Sequence, residues 1–249
     1  MSFGENLQFL RKMRRSMTQE ELAEQMGVSR QTVSKWEMSA AFPETEKAIA
    51  LSRLFNCSLD ELLCQDMNSG NDAYENLRTE TVPAFAYVRY AVISHEPEDD
   101  AMGHIRAWAA RAGIEEPEII GWDFPFVSQE QINVFHMHGY CAACVLPEKQ
   151  GSGGPDASTP TPVSSSGPGN FDPLGLEVIT QPDHKYAVIT IREPFTAPYT
   201  LIPNAYQTLQ RFIEVNVMAK KAPKDALECF EKVYRKEGKE FMDVYICVG

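Results

Sequence analysis

No stretch of the sequence approaches the roughly 18 consecutive apolar residues that a helix needs to cross a bilayer. The first residues also carry charge with no apolar segment behind them, so neither a membrane span nor a secretory leader is expected, and the cytoplasm is the expected location. Basic residues are in deficit: 23 Lys and Arg stand against 35 Asp and Glu, a formal net charge of −12. A diffuse electrostatic grip on a polyanion is thereby excluded, and any affinity for nucleic acid must come from a local cluster. Six cysteines (Cys57, Cys64, Cys141, Cys144, Cys229 and Cys247) in 249 residues read, in such a compartment, as reduced thiols rather than a disulfide framework. What remains is ordinary globular material, 43% hydrophobic and 10% aromatic, long enough for about two domains.

Against this background the stretch from Thr18 to Glu37 stands out. Thr18 and Glu21 form a capping box, which starts a short helix carrying Leu22, Ala23 and Met26 inward, and Gly27 ends it. Ser29 then caps a second helix. On it Val33 and Trp36 share one face, while Arg30/Ser34 and Gln31/Lys35 share the opposite one. A protruding helix with Arg, Gln, Thr and Lys in its first turns suits the DNA major groove, where Arg and Lys donate to guanine and Gln pairs with adenine. Arg11, Lys12, Arg14 and Arg15 lie close enough in sequence to supply phosphate contacts. The sequence here resembles the Cro/Xre helix-turn-helix family, through TQEELA, GVSRQTVSKWE and the later SLDELL. The resemblance covers residues 1–66 and implies five helices. It also implies phosphate contacts from Gln19 and Ser29, base contacts from Arg30, Gln31 and Lys35 with Thr32 and Ser34 on the same surface, and core positions for Val33 and Trp36.

Residues 67–81 are polar and lack an apolar period, so a linker is expected. From Val82 the pattern changes. Ala84 to Ile93 has the β-branched and aromatic content of a strand, and Pro97 introduces a helix with Ala101, Ile105, Trp108 and Ala112 on one face and Gly113 as its stop. Ile119–Phe126 and Asn133–Leu146 are the next strand candidates. Residues 149–170, rich in Gly, Ser, Thr and Pro, read as a flexible insertion. The order then repeats: a strand over Lys185–Arg192, a helix from Pro203 to Val217, and strands over Leu227–Tyr234 and Glu240–Val248. Tyr90-Ala91-Val92-Ile93 recurs as Tyr186-Ala187-Val188-Ile189, and with the element order this indicates an internal duplication. Residues 82–249 resemble the GyrI-like effector-binding domains of AraC-type regulators, through GWDFP (121–125), IPNAY (202–206), FEKVY (230–234) and MDVYI (242–246). The resemblance implies an α+β domain of two strand-helix-strand-strand repeats around a ligand cleft, with Glu231 facing that cleft.

A turn centred on Gly238 would place Glu231 opposite Tyr245 and Cys229 opposite Cys247. A carboxylate among aromatic rings suits a hydrophobic cation. Trp122, Tyr140, Tyr199 and Tyr206 are the other rings that could wall such a cleft. His136, His138, Cys141 and Cys144 carry zinc-ligand chemistry, but on a continuous strand Cys141 points away from the other three, and no metal or cofactor is expected. The sequence therefore describes a ligand-responsive transcription regulator, not an enzyme. Its expected partners are a palindromic double-stranded DNA operator, read by a homodimer, and a small cationic or amphipathic effector. The rival readings are a hydrolase built on Glu231 and an acidic protein-interaction module.

Overall fold

The computed structural model describes residues 2–14, 16–65, 67, 73–147, 176–219 and 222–249. The expected insertion at 149–170 and the expected phosphate contact Arg15 lie outside them. The chain divides into two compact units: unit 1 comprises Met1–Val82, His184–Cys229 and Val233–Gly249, and unit 2 comprises Pro83–Asp183 and Phe230–Lys232. Among the described residues no helix is long and apolar enough to cross a membrane.

Unit 1 opens with the five expected helices: α1 (Phe3–Met13), α2 (Gln19–Met26), α3 (Arg30–Glu37), α4 (Thr45–Leu54) and α5 (Leu59–Cys64). Their starts follow side-chain caps: Thr18 and Ser58 each accept from the backbone three residues on, and Glu21 and Glu61 return the bond. Leu7, Leu10, Leu22, Val33, Leu51, Phe55 and Leu62 are fully enclosed.

The chain then departs from the expected linker. Residues Tyr74–Val82 form strand β1, paired antiparallel with β6 (His184–Arg192) from Tyr74/Ile191 to Val82/His184 around a bulge between Glu75 and Arg78. Tyr74 and Leu77 pack on the unit 1 core. The strand has few apolar residues and its bulge breaks their spacing, so no alternating pattern marks it in the sequence.

The second repeat supplies the rest of unit 1: β6, a 3₁₀ turn at Pro194–Thr196, α8 (Pro198–Val215), β7 (Cys229–Lys236), whose residues Phe230–Lys232 belong to unit 2, and β8 (Lys239–Cys247). Helix α8 begins at Pro198 rather than Pro203, which lies inside it. Its Leu201, Ala205, Leu209 and Ile213 join Ala187, Ile189, Met242 and Val244 in one continuous core with the five-helix segment. Asn216 donates to the Met13 carbonyl and Arg211 pairs with Glu61.

Unit 2 contains the first repeat: β2 (Phe85–Ser94), α6 (Pro97–Arg111), β3 (Glu118–Asp123) and β4 (His138–Val145), with a short helix α7 (Gln129–Asn133) and an added strand β5 (Val178–Gln181). The strands run antiparallel in the order β5-β2-β4-β3, and β3 also pairs with β7 at Gly121/Glu231. Helix α6 lays Ala101, Ile105, Trp108 and Ala109 on Val88, Ala142 and Cys144. Part of the strand expected from Asn133 is instead α7 and a turn at His136, whose φ is 50°. The capping box of Ser128 and Gln131 is the sequence cue for that helix.

The two repeats share an element order but not the register of their shared tetrapeptide. Tyr90 packs on the α6 face and stacks on His104 at 3.7 Å. In the second copy Ala187 and Ile189 face α8, so Tyr186 points to the other side of the sheet. The four-residue identity is therefore not the trace of equivalent positions.

Candidate functional site

Helices α2 and α3 form the candidate DNA-reading pair, and their geometry follows from the local sequence. Gly27, at φ 62°, takes the left-handed conformation that ends α2. Ser29 accepts from Thr32 N at 3.1 Å to start α3. Val33 and Trp36 are buried, which leaves Arg30, Gln31 and Lys35 exposed, with Thr32 and Ser34 half-covered beside them.

The back of α3 is held by charge. Arg11 lies buried between the helices, donating to both oxygens of Glu37 and, through Nη1, to the Met17 carbonyl at 2.6 Å. Gln19 Nε2 donates to Glu37 Oε2 at 2.8 Å. One carboxylate thus ties α1, α2 and α3 together. This corrects the reading of Arg11 as a phosphate contact: its guanidinium is a buried strut. Arg14 donates to the Leu54 carbonyl at the end of α4, where a cation is favoured by the exposed carbonyls of a helix terminus. Gln19, at the first position of α2, directs one of its two amide hydrogens to Glu37.

The expected ligand residues do not all converge. The hairpin turn between β7 and β8 holds two residues, Glu237 and Gly238, both at positive φ (53° and 78°), as a type I′ turn requires. Lys236 and Lys239 therefore flank it, one step from the register centred on Gly238, and Cys247 N donates to Glu228 O in agreement. The parity that put Glu231 with Tyr245, and Cys229 with Cys247, is lost. Tyr245 belongs to unit 1, buried beside Tyr186 and donating to Asp243 at 3.4 Å. Tyr199 is 96% exposed on the first turn of α8, and Tyr206 packs on the unit 1 core. Trp122 makes a T-shaped contact with Tyr87 and pairs with Cys141. Because side chains alternate along β3, it faces away from the α6 side on which its neighbour Gly121 lies.

Glu231 and Tyr140 do lie close enough for the carboxylate to act on the phenol, both in unit 2. Glu231 pairs with Gly121, and Tyr140 pairs with Asp123 one row away. The Tyr140 ring leans diagonally across Gly121: a Cβ there would stand 2.0 Å from the phenol oxygen. Only glycine lets the ring cross to the row of Glu231. Burial first, then the negative charges of Glu231, Glu98 and Asp123, raise the Tyr140 phenol far above its ordinary range, so it stays a protonated donor. Glu98, in the first turn of α6, and Asp123 both keep contact with water. Partial desolvation by the surrounding chain still raises both carboxyls, and Asp123 adds to the rise at Glu98. Glu98, Asp123 and Gly121 were absent from the sequence-level site. In sequence the acidic run before α6 reads as a helix start, and GWDFP carries only a resemblance.

The thiols of Cys141 and Cys144 are buried, which pushes each up to about 11. They are neutral thiols on opposite faces of β4, neither nucleophiles nor a paired metal site.

The capped and anchored α2–α3 pair forms a helix-turn-helix. Residues 7–62 match the helix-turn-helix family (HTH_3), and the chain carries a Cro/Xre-type helix-turn-helix domain. Over 63 residues it is 46% identical to the HTH-type transcriptional activator BcrR of Enterococcus faecalis, covering 25% of this chain and 30% of that protein. Over 73 residues it is 37% identical to repressor protein C2 of Salmonella phage P22, covering 29% and 33%. The matches thus span about a third of each relative's own length. Among solved structures, the EcmrR C-terminal domain is similar at 10% identity and a TM-score of 0.44, covering 71% of this chain and 98% of that one.

Proposed function

We propose that the protein is a ligand-responsive transcription regulator: α3 reads a DNA operator as part of a homodimer, and unit 2 binds a small cationic effector at Glu231. The ligand class is supported by the Tyr140 ring, which leans across Gly121 toward the row of Glu231, where Glu231, Glu98 and Asp123 set negative charge around the protonated phenol. A cation entering this cluster relieves the repulsion among carboxylates and restores the attraction that partial burial makes stronger than in water. Tyr140 adds a ring face and a hydroxyl. An organic cation with apolar substituents therefore has more to gain here than an anion or a neutral molecule of the same shape.

In this reading the exposed Arg30, Gln31 and Lys35 of α3 contact base edges and Ser29 at the helix N-terminus contacts phosphate. Effector action requires only that the cation prefer one of two arrangements of the chain that differ in DNA affinity. The test is an operator selected in vitro with the full chain, followed by titration of quaternary ammonium and phosphonium cations into the protein–DNA complex. The expected result is a selected sequence with two-fold symmetry and a shift in its affinity with at least one cation. Failure to select any sequence above background overturns the DNA reading, and selection with no response to any cation overturns the effector reading.

A further inference from the structure

Unit 1 holds a cavity of about 570 Å³, separate from both α3 and the carboxylate cluster. It opens where α1, β1 and α8 meet: Phe9 and Met13 come from α1, Leu77 from β1 and Phe212 from α8, with Val248 behind them. Lys12 and Lys185 line it too, both exposed, and among the described residues no carboxylate does. In a chain of net charge −12 such a lining is a local inversion of sign.

Asn216 supplies a third feature. Its Nδ2 donates to the carbonyls of Met13 at 3.2 Å and Phe212 at 2.8 Å. Two acceptors on one side fix which way the amide points. The remaining atom, Oδ1, is buried and accepts no hydrogen bond from any described residue, and Asn216 is one of the residues that line this cavity. A buried acceptor without a donor is costly, and a ligand N–H or O–H would satisfy it.

We infer that this cavity is a second small-molecule site whose ligand is an amphipathic anion, with a carboxylate held by Lys12 and Lys185, an apolar tail against Phe9, Met13, Leu77 and Phe212, and a donor for Asn216 Oδ1. An N-acylated amino acid carries all three groups, and the volume falls in the usual range for small-molecule pockets. Helix α1 is part of the helix-turn-helix domain and α8 part of the second repeat. An occupant touches both, so its binding is coupled to any rearrangement of that seam. Its charge is opposite to that of the effector proposed for unit 2, which keeps the two sites separable by experiment.

The test uses N-octanoylglycine as the probe, titrated into the full chain by calorimetry, with its neutral glycinamide as the matched control. One saturable site per chain is expected. Lys185→Glu should weaken it at least tenfold, the glycinamide should bind at least tenfold more weakly, and Leu77→Trp, which fills the cavity, should abolish binding. Glu231→Gln should leave it unchanged. If Leu77→Trp does not fold, Lys12→Glu replaces it with the same tenfold expectation. The proposal is overturned if wild type shows no saturable binding, if Lys185→Glu and the second variant bind as wild type, if the glycinamide binds equally well, or if Glu231→Gln removes binding.

Discussion

The substitution Glu37→Gln should loosen α3 from behind. The Glu37 side chain is only 2% exposed and that of Arg11 10%, and the carboxylate accepts from Arg11 twice and from Gln19 once. The amide that replaces it would offer one acceptor oxygen where three donors converge and would leave the guanidinium buried without its counter-charge. Removing one partner of a buried pair costs about 3–5 kcal/mol. The retained oxygen argues for the lower end, about 3 kcal/mol. For chains of roughly 150–250 residues each kcal/mol moves the melting temperature by about 2–4 °C, so a fall of about 6–12 °C is expected. Scanning calorimetry on the full chain reads it. The double variant Arg11→Met/Glu37→Leu should recover most of the loss, because well-packed apolar residues often replace a buried ion pair without cost. A fall below about 2 °C in the single variant, or a double variant no more stable than the single, would refute the strut.

Arg30→Ala should cost about 1–3 kcal/mol of operator affinity and relax one base position; an unchanged selected sequence would remove Arg30 from base reading. Gly121→Ala should displace the Tyr140 ring, since a Cβ would meet the phenol oxygen at 2.0 Å, and cation affinity should fall in Gly121→Ala while operator affinity stays; calorimetric titration and gel retardation measure the two. The raised carboxyls of Glu98 and Asp123 set a sign for pH. In the folded protein they hold protons at higher pH than in the unfolded chain, so their contribution to stability is full below the ordinary carboxylate range and is lost as pH rises through the raised values. Cation binding requires the ionised forms, so affinity should fall as pH drops from neutral through the raised values of these carboxyls. Affinity that is flat or rises over that interval would contradict the assignment.

Much of the helix-turn-helix domain was legible because its boundaries are set by short-range chemistry. Thr18, Glu21, Gly27, Ser29 and Ser58 act on neighbours within a turn, and the structure shows them doing so. The order of both repeats was legible for a similar reason, each helix carrying its own apolar stripe. What escaped was long-range. Strand β1 exists because β6 offers it an edge, not because residues 74–82 carry a strong pattern of their own. The electrostatic role of Arg11 depends on Glu37, 26 residues away. The hairpin missed its register by one residue, since Glu237 shares the turn with Gly238, and a single step exchanges the two faces of a strand. That one step separated Glu231 from Tyr245. Tyr140 met Glu231 by another route, across a glycine whose importance lies in the side chain it lacks.

Glu231 is where the effector reading is most exposed to test. The measurement is a matched titration: one quaternary ammonium ligand and its neutral isostere, each into wild type and Glu231→Gln, with operator affinity followed in parallel. The expected result is at least a tenfold loss for the cation, equivalent to about 1.4 kcal/mol, little change for the neutral isostere, and unchanged operator affinity without ligand. Equal weakening of both ligands, or no weakening of either, would contradict a cation site at Glu231.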